Sequence, residues 1–144
     1  MRSIPAFCVA LMLGVTAAAA QDMGAAARDQ TNALRAEAGQ APLAVSGVLT
    51  RAAEGHARDM AQNGFFSHTG SDGSGVGDRA RAAGYGFCFI AENIASGQNS
   101  VDGALAAWMG STEHRRNILS EGAREFALVR AGNIWVMVLG RPGC

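Results

Sequence analysis

The chain has 144 residues, enough for one domain, and 49% of them are hydrophobic against 17% charged, a balance that fills a core and excludes a disordered chain. Its 12 basic residues are all arginine and 12 acidic residues match them, so the formal net charge is zero. A chain so balanced carries no electrostatic footprint for nucleic acid or for acidic lipid, and the tandem Arg115-Arg116 reads as a solvated helix flank.

The first segment is a targeting signal. Arg2 supplies a positive start, Phe7 to Ala20 is apolar, and Ala18-Ala19-Ala20 before Gln21 has the A-x-A form of a cleavage site. The run is too short for a stable membrane span, and Cys8 lies too early for lipid attachment. Residues 1–20 are therefore expected to leave as a secretory signal, and residues 21–144 to remain as a single secreted or periplasmic domain without a transmembrane span. Cys8 departs with the signal. Cys88 and Cys144 remain, an even number in an oxidising compartment, and are expected to form a disulfide. The long loop it closes is worth roughly 4 kcal/mol on the chain-entropy model.

The mature chain opens with a helix over Asp22–Ala38, stopped at Gly39 and followed by a turn whose Pro42 forbids continuation. Ser46 opens a second helix. Leu49, Ala52, Ala53, His56 and Met60 recur on one face of it, and Gly64 ends it. His56, on that apolar face, reads as a core histidine and takes no site role. Phe65 and Phe66 then anchor a segment that ends in Ser67-His68. This leaves His68 at the mouth of a loop, Thr69–Gly77, rich in glycine. The loop has no GK[ST] ending and no strand before it, so it is no phosphate cradle. Asp72, Ser74 and Asp78 suggest calcium ligands, but the twelfth position of that count is Ala83 rather than Glu. The loop is expected to be flexible, with Asp78 capping a short helix through Ala83.

Tyr85–Ala91 reads as a strand that holds Cys88 and ends in Glu92-Asn93. Glu92 is then either exposed at a sheet edge or turned into a polar cavity. Gly97-Gln98-Asn99 is a turn. Ser100 caps the next helix, with Asp102 in its first turn and Val101, Ala104, Leu105, Trp108 and Met109 on its apolar face. Ser111 caps a further helix, His114 falls in its first turn, and Ile118 and Leu119 bury its far end. Arg124–Arg130 and Ile134–Leu139 form a hairpin around Ala131-Gly132-Asn133. Ile134, Val136 and Val138 face one way; Trp135, Met137 and Leu139 face the other. A strand apolar on both faces needs cover on both faces. The expected fold is α+β: a three-layer α–β–α sandwich around a small antiparallel sheet.

Ser67 and Ser111 each have a histidine nearby in sequence, but no GxSxG elbow exists and the serine-hydrolase reading is poor. The stretches NALRAEAGQAPL, LTRAAEGHARDMAQNGFFSHTGSDG, GDRARAAGY, AENIASG and AWMGSTEHRRNIL, with the final hairpin and Trp135, come together in an order that resembles a CAP-domain protein. This is the SCP-like family of cysteine-rich secretory, antigen 5 and pathogenesis-related proteins, here in its bacterial form, and the resemblance covers about residues 30–140. It implies the same α–β–α sandwich. It also implies a cavity lined by two histidines and two acidic residues, which holds a divalent metal in some members. By motif His68, Glu92 and His114 match three of the four. The second acid falls on Ser111, and Glu113 is either its substitute or a solvated helix-start carboxylate, the second being the stronger reading. Val136 and Met137 stand where polar Thr and Gln are frequent, which makes that end of the cavity drier.

Two imidazoles and a carboxylate suit zinc, with a fourth position left for water. Two functions follow. One is a non-catalytic binding module whose ligand is a metal, a lipid or a cell-envelope component. The other is a metal-dependent hydrolase built on the same cluster. Binding is favoured, because no second reliable carboxylate remains to act as base once Glu92 is spent on a metal.

Overall fold

The computed structural model describes residues 18–144. Residues 1–17 of the expected signal, Cys8 among them, lie outside the described residues. In chain order the elements are β1 (Ala20–Asp22), α1 (Gly24–Glu37), β2 (Ala44–Val45), α2 (Gly47–Asn63), α3 (Val76–Ala82), β3 (Phe87–Ser96), α4 (Val101–Met109), α5 (Thr112–Ile118), β4 (Glu125–Ala131) and β5 (Ile134–Pro142). The sheet runs β1-β4-β5-β3. On β4, β1 pairs antiparallel at Ala131 and β2 pairs parallel at Glu125. β3 is an edge strand, antiparallel to β5 in a register that sets Glu92 opposite Val138 and Asn93 opposite Met137.

The alternation of the hairpin builds the two cores. Phe126, Leu128, Trp135, Met137 and Leu139 pack against Ala27 of α1, Leu105 and Trp108 of α4 and Ile118 of α5. Ala127, Val129, Val136 and Val138 pack against Leu49, Ala53 and Met60 of α2 and Ala80 of α3. This is the three-layer sandwich that a hairpin apolar on both faces requires. A disulfide joins Cys88 to Cys144, as expected, across a sequence separation of 56. It ties the last residue of the chain to the start of β3.

Several local expectations are corrected. β3 does not stop before Glu92 but runs on to Ser96. It continues because both polar side chains find partners, one on each face of the strand, and because its outer carbonyls are covered: Trp108 Nε1 donates to Ile94 O at 3.0 Å and Asn117 Nδ2 lies 3.4 Å from Glu92 O. Ser111 occupies the N-cap of α5 but its hydroxyl makes no capping bond. Asp78 sits in the first turn of α3 rather than ahead of it, and its carboxylate accepts from Gly75 N at 3.0 Å. The glycine-rich loop is pinned rather than loose: Ser71 N and Ser71 Oγ donate to Asp59 of α2 at 2.8 and 2.7 Å. A Cβ at Gly70 would come within 2.8 Å of Ser74 Oγ and 2.9 Å of Asp72 Oδ1, so any side chain there would have to displace these two. β1 and β2 are too short to leave a pattern and were not expected.

Candidate functional site

The site grows from Glu92, which β3 turns toward α2 and α3 and buries almost completely. A carboxylate in that position needs compensation. Arg79 of α3 supplies it: Nη2 donates to Glu92 Oε2 at 2.8 Å. The guanidinium is fixed in turn by Ser74 O at 2.6 Å and His68 O at 3.1 Å. The other carboxylate oxygen, Oε1, accepts from His68 Nδ1 at 2.8 Å. His56 of α2 lies behind it, with Nε2 at 3.9 Å from the same oxygen. Glu92 thus joins β3, α3 and the segment after α2 in one cluster.

The two histidines of the cluster behave oppositely. The hydrogen bond to Glu92 raises the pKa of His68 above its ordinary value, against a smaller effect of burial. Its side chain is 58% exposed, so the ring is held at Nδ1 and wet on its far side. Burial lowers the pKa of His56, and the neighbouring Glu92 offsets only part of that. His56 Nε2 lies 2.9 Å from Ser67 O, which selects the tautomer that donates there. His56 Nδ1 is then a buried acceptor with no partner among the described residues. The core reading of His56 holds for its burial; what it missed is this position behind Glu92.

The other motif residues stand apart from the cluster. His114 is half-buried on α5, and its carbonyl accepts from Asn93 Nδ2 at 3.0 Å. Asn93 is fully buried on the face of β3 opposite Glu92, and Asn117 Nδ2 donates to its Oδ1 at 2.8 Å. These bonds dock the backbone of α5 on β3. Glu113 is 70% exposed and pairs with Arg116 of its own helix, the solvated arrangement. Ser111 is partly buried at the start of α5. Val136 and Met137 are fully buried, one in each core. Among the described residues no group of three or more His, Cys, Asp or Glu side chains is placed to hold a metal ion.

Arg79, Asn93 and Asn117 were not singled out from the sequence. Arg79 had a signal: in a chain without lysine a buried carboxylate is compensated by arginine or histidine, and Arg79 lies in the middle of the short helix that follows the glycine-rich loop after His68. Beside the cluster, α2, α3 and the pinned loop enclose an open cleft of about 590 Å³, with Arg79 on its lining and the buried His56 behind its wall.

Comparison with known proteins agrees with this architecture. Residues 28–134 match the model of the Cysteine-rich secretory protein family, CAP. Over 107 residues the chain is 32% identical to the Bacillus subtilis protein named Uncharacterized protein YkwD, covering 73% of this chain and 42% of that one. It is 35% identical over 94 residues to the Bacillus subtilis Uncharacterized membrane protein YlbC, covering 64% of this chain and 27% of that one. The chain therefore spans less than half the length of these curated relatives. Among solved structures, an extracellular protein containing an SCP domain from Bacillus anthracis superposes with a TM-score of 0.78 at 29% identity, over 81% of this chain and 39% of that one. An outer surface protein from Borrelia burgdorferi shares the fold alone, with a TM-score of 0.73 at 20% identity over 81% and 90% of the two chains. With the family model matched over most of its length and the same sandwich in its relatives, this chain belongs to the cysteine-rich secretory protein (CAP) family.

Proposed function

We propose that the chain is an exported, non-catalytic binding module that presents its ligand site around His68 and Glu92. One observation carries the reading: both oxygens of Glu92 are already taken, one by the Arg79 guanidinium and one by His68 Nδ1. A zinc ion on this carboxylate would have to displace His68 from Oε1 and sit beside a fixed positive charge. The donor set His68, Glu92 and His114 does not fit the metal as it stands. Glu113, the remaining candidate for a general base, faces water. The cluster instead fixes a histidine edge and a rigid floor, which suits recognition of a small ligand, a lipid headgroup or an envelope fragment.

Export is supported by the N-terminal signal pattern, by the Cys88–Cys144 disulfide, which belongs in an oxidising compartment, and by the descriptions of the similar structures as extracellular and outer-surface proteins. Among the described residues no helix is long and apolar enough to cross a membrane. Zinc calorimetry on the oxidised chain 21–144, beside a His68→Ala/His114→Ala variant, tests the reading. The expected result is no stoichiometric uptake by either protein. Stoichiometric zinc binding that the double variant loses would replace it with a metal-dependent function, the hydrolase included.

A further inference from the structure

The start of β3 is fastened to the end of β5 by little besides the disulfide. The register of the two strands shifts between Phe87 and Phe89, at Cys88. Phe87 lies opposite Pro142, which has no N–H to give to the ladder. The next donor, Gly143 N, reaches Gly86 O only at 3.4 Å. Cys88–Cys144 closes this end of the sheet. Cys144 is exposed and Cys88 half-buried, so an external thiolate approaches from the Cys144 side.

The same strand start carries α3. Gly77 lies against the Phe87 ring, where a Cβ on the glycine would come within 3.1 Å of Phe87 Cζ. Arg81 places its guanidinium over that ring, 4.6 Å from the centroid. Arg79, between the two in sequence, holds Glu92 Oε2 at 2.8 Å and His68 O at 3.1 Å. α3 has only 7 residues, too few for a helix to persist by itself. It is kept by Ala80, which is buried in the core with residues of α2, and by its two attachments to β3, at Phe87 and at Glu92. One of those attachments is the next residue to Cys88; the other is the centre of the proposed site.

We infer that Cys88–Cys144 is a redox latch on the Glu92 cluster: when a dithiol opens it, the start of β3 is freed and α3 loosens with it through Phe87, releasing the hold of Arg79 on Glu92 and on the His68 segment. In the exchange, one thiolate of the dithiol attacks Cys144 Sγ and Cys88 leaves as the thiolate. The second thiol of the reagent then displaces Cys144 and closes its own disulfide, so the protein gains two electrons and two protons and the dithiol loses them. The inference gives the proposed binding site a means of regulation and rests on that reading for its use. The two fail separately, since that reading falls on stoichiometric zinc uptake and the latch on the cleavage pattern below.

Trypsin reads the latch directly, because in this chain it cuts only after arginine. Arg79 and Arg81 lie on α3, and Arg115 and Arg116 on α5 serve as the internal reference. The oxidised protein is compared with protein reduced by dithiothreitol and capped with iodoacetamide, and with Cys88→Ser/Cys144→Ser, the fragments being identified by mass. Cleavage after Arg79 and Arg81 is expected to run at least tenfold faster in both opened forms, with cleavage after Arg115 and Arg116 unchanged. Phe87→Ala with its disulfide intact should speed cleavage on α3 in the same way. A serine variant whose α3 resists as well as that of the oxidised protein would overturn the inference. So would equal acceleration at α5, which would make the disulfide a staple for the whole fold, or a Phe87→Ala protein as resistant as the wild type.

Discussion

At the scale of single residues, the account turns on two arginines that the sequence did not flag. Arg79 is the counter-charge that allows Glu92 to sit inside β3. Its removal leaves a buried carboxylate with only a half-exposed histidine, and breaking such a pair costs about 3–5 kcal/mol. Arg79→Ala is therefore expected to lose most of that in a chemical denaturation experiment, whereas Arg81→Ala on the exposed side of the same helix should change little. Arg35 is the second. It is fully buried on α1 and pairs with no carboxylate among the described residues. Its Nε donates to Ala41 O at 2.8 Å and its Nη1 to Ile118 O and Ser120 O at 2.7 and 3.0 Å. The last two carbonyls close the C-terminal end of α5, where the helix dipole is negative. Arg35→Met should cost about 3 kcal/mol, because charged donors to three carbonyls are lost and those carbonyls are left unpaired. It should also disturb the amide signals of α5 more than those of α2.

At the scale of elements, the legible parts of the chain were those with a strong local pattern. α2 begins at Ser46, whose Oγ accepts from Leu49 N, and ends at Gly64 with φ 67°. A cap residue, an apolar stripe and a left-handed glycine marked it in advance. The hairpin was legible because β4 and β5 are apolar on both faces. β3 was cut short because Glu92 and Asn93 look like the end of an apolar run, and only tertiary partners on both faces show that it continues. The pinning of the glycine-rich loop was illegible for the same reason: it depends on Asp59, which lies on another element. One element contact is open to a direct check. Tyr85 lies across β5 at Gly140, and its hydroxyl donates to Glu125 at 2.6 Å. A Cβ on Gly140 would come within 2.8 Å of that ring. Gly140→Ala is expected to cost about 1–3 kcal/mol by overpacking. The Tyr85–Glu125 bond raises the tyrosine pKa, after the larger effect of burial. The variant should accordingly bring the phenol's ultraviolet titration back toward 10.

At the scale of the whole molecule, the fold serves to bring three segments against one strand: α3, the stretch after α2, and α5. The family motif points to His68, Glu92 and His114, but spacing along the chain carries no information about which face of that strand each one meets. Glu92 and Asn93 are adjacent and point to opposite layers, so the imidazole of His68 meets one and the carbonyl of His114 the other. The same burial sets the response to pH. His56 has a folded pKa below its unfolded value of 6.5, so its burial weakens the fold as pH falls from 6.5 downward. His68 has a raised folded pKa, and its contribution is complete below 6.5 and lost as pH rises through the folded value. The two oppose each other, and the exposed His68 is the more strongly screened. Stability should therefore decline from pH 7 to pH 5, and His56→Gln should flatten that decline.

The central claim is that Glu92 is closed on Arg79 and His68 rather than open to a metal, and proton NMR titration of the imidazole signals tests it most directly, in the wild-type chain and in Glu92→Gln. The account predicts that His68 titrates above 6.5 and His56 below it in the wild type, and that His68 moves down in the variant. A His68 that titrates at or below 6.5 in the wild type, and does not respond to Glu92→Gln, would contradict it.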